Sequence, residues 1–326
     1  MKKISTIILL LVAITTIIYQ QSKNTIKKEL RDFAVAEIDK VQKIFFADRF
    51  NNEVLLTKQH GKWYVGEHLA RENAIELLLN TMQKIEVKNP VAESMHNSVI
   101  KSLATNAVKV EVFTHDENTP FKTYYVGRES SDHLGSYMIL ENSNKAFVMH
   151  LPGSNGFLAP KYNIDGEKVH VDLWRERAIF QFKTNTIDTL QITHHQSEER
   201  NFSLIKTNES YHYQGEVKDV QTEVINTYMQ LFENTYCEGF MNTYEKKDSI
   251  FASTPLHSIS ISANGINTTL HTYNKKPRQL HLDAESNPRK WDIDRMYAKL
   301  GDDLLLIQFR TFNPILYGPT HFAVEK

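Results

Sequence analysis

Ile38-Asp39-Lys40-Val41-Gln42 returns as Ile187-Asp188-Thr189-Leu190-Gln191, 149 residues further along the chain. The same spacing carries Phe33 to Phe182, Leu55 to Leu204, Leu56 to Ile205, Tyr64 to Tyr213, Val110 to Ile259, Val112 to Ile261 and Tyr124 to Tyr273. One ungapped register over so many apolar positions predicts two copies of a single module. Beyond Tyr273 the spacing widens to 160, pairing Tyr137 with Tyr297 and Phe147 with Ile307. The 11 extra residues fall within 275–290 (KKPRQLHLDAESNPRK), a polar stretch with two prolines that suits an enlarged surface loop.

Within the first copy, short runs of strand formers over 41–46, 53–58 and 62–65 are separated by Asn51-Asn52 and His60-Gly61, as in a meander. Ile75, Leu78, Leu79, Met82 and Ile85 then recur at three- and four-residue steps and predict a helix over 71–85. Asn89-Pro90 closes that region, and a weaker helix is expected over 95–103. Strict alternation over 108–112 predicts a half-buried strand, followed by strands over 122–126, 136–140 and 145–150. The second copy repeats the order, with strands over 190–195, 202–206 and 211–213, and a helix striped by Val220, Val224, Tyr228 and Leu231. Strands over 258–262 and 268–273 follow. The expected fold class is therefore α+β: two tandem modules, each a small antiparallel sheet with a helix on one face. The expected boundaries are 1–22 for an anchor or signal segment, 23–32 for a stalk, 33–160 and 182–326 for the modules, and 161–181 for a linker.

The amino terminus decides the expected location. Met1-Lys2-Lys3 precedes an uncharged apolar run from Ile4 to Tyr19, which at helical rise spans about 24 Å, somewhat short of a bilayer core. Flanking lysines can snorkel to close the gap. A cleaved signal peptide would start the same way, but Ala13 is the one small residue near the end of the run, and no Cys follows for lipidation. An uncleaved transmembrane anchor is expected. Basic residues lie on both sides of the run (Lys2 and Lys3 before it; Lys23, Lys27, Lys28 and Arg31 after it), so charge bias does not set the orientation.

Composition excludes several classes. In 326 residues, 38 Lys and Arg stand against 39 Asp and Glu, a balance that argues against nucleic acid as a partner. Cys237 is the sole cysteine, so neither an intramolecular disulfide nor a cysteine metal cluster can form, and a buried thiol is expected. The sequence holds no G-x-S-x-G, no phosphate-cradling glycine loop and no H-E-x-x-H.

Several stretches together carry a family resemblance: FAVAEIDKVQKIF at 33–45, Lys62-Trp63-Tyr64-Val65, Tyr124-Tyr125-Val126-Gly127, and Gly135-Ser136-Tyr137-Met138. So does the segment from Leu151-Pro152-Gly153 through Phe157-Leu158 to Trp174-Arg175. The chain after the anchor resembles the bacterial domain-of-unknown-function family numbered forty-three forty. That resemblance implies a membrane-anchored protein with an extracytoplasmic body, in some cases encoded beside ABC-type transporters of the gliding-motility kind. It supplies no catalytic residues. Lys161-Tyr162 stands where an Arg-Tyr pair is commoner in the family.

Candidate sites are few. His194-His195 with Glu198-Glu199 is the most metal-like cluster, yet neighbouring strand residues point to opposite faces and cannot readily share an ion. His115-Asp116-Glu117 reads as a hairpin turn, and the two carboxylates of Trp291-Asp292-Ile293-Asp294 are a weak acid-base signal. No catalytic, cofactor or metal residue is assigned. Phe157, Tyr162, Trp174, Arg175 and Arg177, in and beside the expected linker, are the residue types that anchor interfaces, and they mark a partner or inter-module surface. The expected function is a non-enzymatic accessory or assembly protein, membrane-anchored and extracytoplasmic, partnering a transporter-like membrane complex. The alternative is a ligand-binding or hydrolytic enzyme with a site in the cleft between modules.

Overall fold

The computed structural model describes residues 32–323, apart from 117, 209, 218, 280, 281, 283 and 284. The expected anchor over 1–22 and most of the stalk lie outside the described residues. Among the described residues, no helix is long and apolar enough to cross a membrane. The chain divides between Glu176 and Arg177 into two compact units.

In the first unit the elements run β1 (Lys43–Ala47), β2 (Glu53–Gln59), β3 (Lys62–Val65), β4 (His68–Leu69), α1 (Glu72–Lys84), β5 (Glu86–Pro90), α2 (Glu93–Asn106), β6 (Val108–Phe113), β7 (Lys122–Glu129), β8 (Ser136–Leu140) and β9 (Ala146–His150). All nine strands join one antiparallel sheet in the order β4-β3-β2-β1-β6-β7-β8-β9-β5. Alternate residues (Ile44 and Phe46, Val54 and Leu56, Val108, Val110 and Val112, Phe147 and Met149) send their side chains into one core. Against that face α1 presses Ile75, Leu78 and Met82, the stripe that the three- and four-residue spacing predicts. The other face is covered over β7 to β9 by α2, whose Val99 and Leu103 pack with Ala146. Gly127 permits this approach: a Cβ there would lie 2.5 Å from a Leu103 methyl and 2.9 Å from the Tyr137 carbonyl.

The second unit contains β10 (Ala178–Phe180), β11 (Ile187–His194), β12 (Phe202–Thr207), β13 (Ser210–Gln214), α3 (Thr222–Met229), β14 (Thr235–Tyr236), β15 (Gly239–Phe240), α4 (Lys247–Phe251), β16 (His257–Ala263), β17 (Ile266–Tyr273), β18 (Arg295–Leu300), β19 (Asp303–Gln308) and α5 (Phe309–Phe312). Its main sheet has eight strands in the order β13-β12-β11-β16-β17-β18-β19-β15, and β10 pairs separately with β14. Apart from β4, which has no counterpart, this is the strand order of the first unit. The connection from β17 to β18 covers 274–294, where β7 to β8 needs only 130–135.

These sheets correct the expected fold class. The units are mostly antiparallel β, built on nine- and eight-stranded sheets, and are not small sheets each paired with a helix. The local elements are close to expectation. What local pattern misses is that every hairpin zips onto the next, while β4, β5 and β15 add edges from residues that show no alternation. The constant register also needs correction. Val110 stands opposite Phe46 and Tyr124, whereas Ile259 stands opposite Ile192 and Leu270, each three residues short of what a spacing of 149 demands. An odd shift exchanges the faces of a strand: Leu55, matched to the buried Leu204, is 42% exposed.

Each unit closes with an irregular strap. In the first unit, residues 151–176 cross the core face, so the residues expected as a linker up to Glu176 belong to that unit. Val169 N–H donates to Asp48 Oδ2 at 3.0 Å, and Tyr162 Oη lies 3.1 Å from Tyr124 Oη. Trp174 is fully buried, with its ring 5.5 Å from that of Phe46. Arg71, at the start of α1, donates its amide to the Trp174 carbonyl at 2.7 Å, and Ala70 bridges Arg175. In the second unit Gln221, at the start of α3, donates its amide to the Phe322 carbonyl at 2.9 Å, and Val220 bridges Ala323. Phe322 is fully buried against Phe202, Tyr213 and Tyr228.

Trp174→Ala is expected to cost about 3–5 kcal/mol, the usual cost of emptying a large aromatic site. Hydrogen exchange during denaturant unfolding should show the loss in residues 32–176. Phe322→Ala should produce the mirror result in 177–323. A loss in neither unit would remove the straps from the folding core.

Candidate functional site

The first unit carries an open groove of about 920 Å3 between α2, the β7–β8 hairpin and strap residues 157–167. Its walls include Val99 from α2, Tyr137 from β8, and Phe157, Ala159 and Ile164 from the strap. Met95, 41% exposed, forms a lip. Charge gathers at one end, where it is largely spent internally. Arg128 donates from Nε to Glu167 Oε1 at 2.8 Å and adds a second, shorter bond from Nη2. Arg49 lies 3.4 Å from the other Glu167 oxygen, and His133 Nδ1 is 3.0 Å from Glu129. Beside them, Asp132 is held well below the usual carboxylate range by its hydrogen bond from Lys88, then by Ser130 and the Leu134 amide.

The five residues singled out from sequence separate. Phe157 lines this groove. Tyr162 and Trp174 are fully buried in the first core, so neither offers a surface. Arg175 is buried, with Nη1 3.1 Å from Asp172. Arg177 opens the second unit, where its carbonyl accepts the Cys237 amide at 2.9 Å. Cys237 is buried, as expected of an isolated thiol.

In the second unit four histidines form two groups on opposite faces of the sheet. His194 on β11 points to the core face, where its Nδ1 lies 3.0 Å from Nδ1 of His257 on β16. His195 turns to the other face. There its Nε2 is 2.7 Å from Ser258 Oγ, and Ser258 Oγ is 2.7 Å from Nδ1 of His271 on β17. A serine hydroxyl has one proton to give, so it donates to one imidazole and accepts from the other. Burial lowers the pKa of His271, assisted by the charges of Lys299 and His195. Sequence reasoning finds His194 and His195 but misses His257, Ser258 and His271. The alternation of β16 shows on the sequence; the register that sets His257 opposite His194 does not. Among the described residues, no group of three or more His, Cys, Asp or Glu side chains could hold a metal ion.

The Trp291–Asp294 carboxylates are not a pair. Asp292 Oδ2 accepts from Lys275 Nζ at 2.6 Å, and its Oδ1 accepts the amides of Asp294 and Arg295. Burial pushes the Asp292 pKa up, but these hydrogen bonds outweigh it and hold the carboxyl below its ordinary value. Asp292 thus fixes the entry into β18. Of the expected turn at His115-Asp116-Glu117, Asp116 Oδ1 accepts the Asn118 amide at 2.8 Å.

A family model described as Domain of unknown function (DUF4340) matches residues 63–253, from β3 of the first unit to just past α4 of the second. The match spans more than half of the chain, and the protein belongs to this family. No curated protein and no solved structure matches it.

Ser258→Ala is expected to lower stability by about 1–3 kcal/mol, because it strips two imidazoles of their shared partner. Changing His194 and His195 together to Gln should leave the metal content of the purified protein unchanged by mass spectrometry. Loss of a stoichiometric ion would overturn the reading that His194 and His195 do not share a metal.

Proposed function

We propose that the protein is a non-enzymatic accessory or assembly subunit, anchored by residues 4–19, with its body outside the cytoplasm and a transporter-like membrane complex as its partner. The observation that carries this reading is the groove of the first unit. Val99, Tyr137, Phe157 and Ile164 give its walls apolar and aromatic surface beside Ser98, Ser102, Ser131 and Asp165, and Arg128 pairs with Glu167 as His133 does with Glu129. A catalytic cleft needs an acid or base left free to exchange a proton with substrate. A groove in which Arg128 and Glu167 are paired, with Met95 exposed and Phe157 half-buried along it, suits a polypeptide segment that contributes apolar side chains. The uncharged run at 4–19 supports the anchor. Membership of the family adds no activity.

The test is a photo-crosslinking side chain at Met95 in the full-length protein in its native membranes. The expected adduct is with an integral membrane protein of the transporter type, and it should disappear on Ser98→Arg, at an exposed position of the same groove, while thermal unfolding is unchanged. Ile266, 67% exposed on β17, is the control position. No adduct from the groove, or the same adduct from Ile266, would refute the reading. Protease accessibility of the body in intact and opened spheroplasts tests its side of the membrane separately.

A further inference from the structure

On the core side of the second sheet, two imidazoles meet where a proton is costly. With Nδ1 of His194 3.0 Å from Nδ1 of His257, one ring must present N–H and the other a lone pair. The arrangement therefore requires at least one neutral ring, and a second proton turns the hydrogen bond into a repulsion. His194 is 1% exposed, and its amide is fixed by Asn201 Oδ1 at 2.6 Å.

The surroundings do not welcome added positive charge. The Arg200 guanidinium acts on both rings, His195 acts on His257, and Glu199 is the carboxylate that offsets them at His194. The Tyr317 backbone also favours a proton on His194, but less strongly than burial and Arg200 oppose it. Arg200 is at the same time a fastening for the closing strap. Its Nη2 donates to the Leu316 carbonyl at 3.1 Å, and a Cβ on Gly318 would come within 3.2 Å of its Nε. Beyond this point Tyr317 packs on the ring of His321 at 4.3 Å, and Phe322 enters the core. Between the strap and α3 lies a cleft of about 430 Å3 lined by Val224, Tyr228, Leu231, Pro314, Tyr317 and His321.

We propose that the His194–His257 pair is an acid-operated latch: protonation of the pair displaces Arg200, frees the strap over residues 309–322 and widens the apolar cleft against α3. Burial first, then Arg200 for His194 and the two rings' mutual effect for His257, hold both pKa values near 4, from an ordinary 6.5. A histidine whose pKa is depressed in the closed state takes up its proton on opening. The closed state therefore loses stability as pH falls below about 6.5, and the loss is complete near 4. The latch is held at neutral pH and released in mild acid.

Hydrogen exchange followed by mass spectrometry on the full-length protein tests this, with rates corrected for the intrinsic pH dependence of amide exchange. Strap peptides over 309–322 should open on the order of 10-fold or more at pH 5 relative to pH 7, whereas peptides of β6 in the first unit and β16 in the second should hold. Changing His194 and His257 together to Gln, two amides that can still bond to each other, should flatten the response. Should that variant fail to fold, Arg200→Gln provides a second reading: the strap should already be loose at pH 7, with a weakened pH dependence. The proposal is overturned if wild-type strap protection is equal at the two pH values. It is equally overturned if the strap is lost only together with β16 in global acid unfolding, or if the double variant keeps the wild-type response, which would assign it to His321 or to the His195–Ser258–His271 group.

Discussion

Both units depend on one backbone hydrogen bond made across a long stretch of chain. Neither α1 nor α3 has a side-chain cap at its amino end. The amides there need acceptors. In each unit one acceptor is the carbonyl of a buried aromatic residue more than a hundred positions later, Trp174 for Arg71 and Phe322 for Gln221. The same residue thus satisfies the helix end and fills the core beneath it. With the carbonyl and ring acting together, the strap cannot lift without exposing both a polar group and a large apolar surface. Each helix is in turn clamped to its sheet from the far end of its own unit.

The polar side chains of the two units are used differently. In the first unit, charged groups on the surface of the groove pair with one another, Arg128 with Glu167 and His133 with Glu129, beside the apolar surface of Tyr137, Phe157 and Met95. In the second, imidazoles are drawn against or into the sheet, and burial and Arg200 lower the proton affinity of His194 and His257. Histidine suits such a place because its neutral form is accessible near neutrality and can both donate and accept. A lysine at either position would have to be buried charged or give up its proton at high cost.

Much of the secondary structure was legible in the sequence. The stripe of Ile75, Leu78 and Met82 and the alternation from Val108 to Val112 each admit one reading. The sheet size was not legible, because the pairing of β5 with β9 joins residues some sixty positions apart and leaves no periodic trace. The matches at a spacing of 149 misled for a related reason. Apolar identity alone carries no information about face, so a spacing of 149 sets exposed Leu55 beside buried Leu204. Of the five residues taken for a surface, Phe157 does line the groove. Tyr162 and Trp174 lie among Gly, Pro and polar residues that resemble a linker, yet an irregular strap can bury rings as deeply as a strand does. Only the partner that accepts them, Tyr124 for one and Phe46 for the other, reveals it.

The position of Trp174, two residues before the first unit ends, bears on the order in which the protein is made. Until that residue is available, α1 has its apolar stripe and an unbonded amide open to water or to any passing hydrophobic chain. Once Trp174 and the two residues after it arrive, the first unit is complete, while none of the second sheet has yet been synthesised. Folding can therefore proceed from the amino end in two completed steps. The second step waits in the same way on its own closing aromatic, Phe322. A chain released before Phe322 would have the strands of the second unit in place and no means of closing over them.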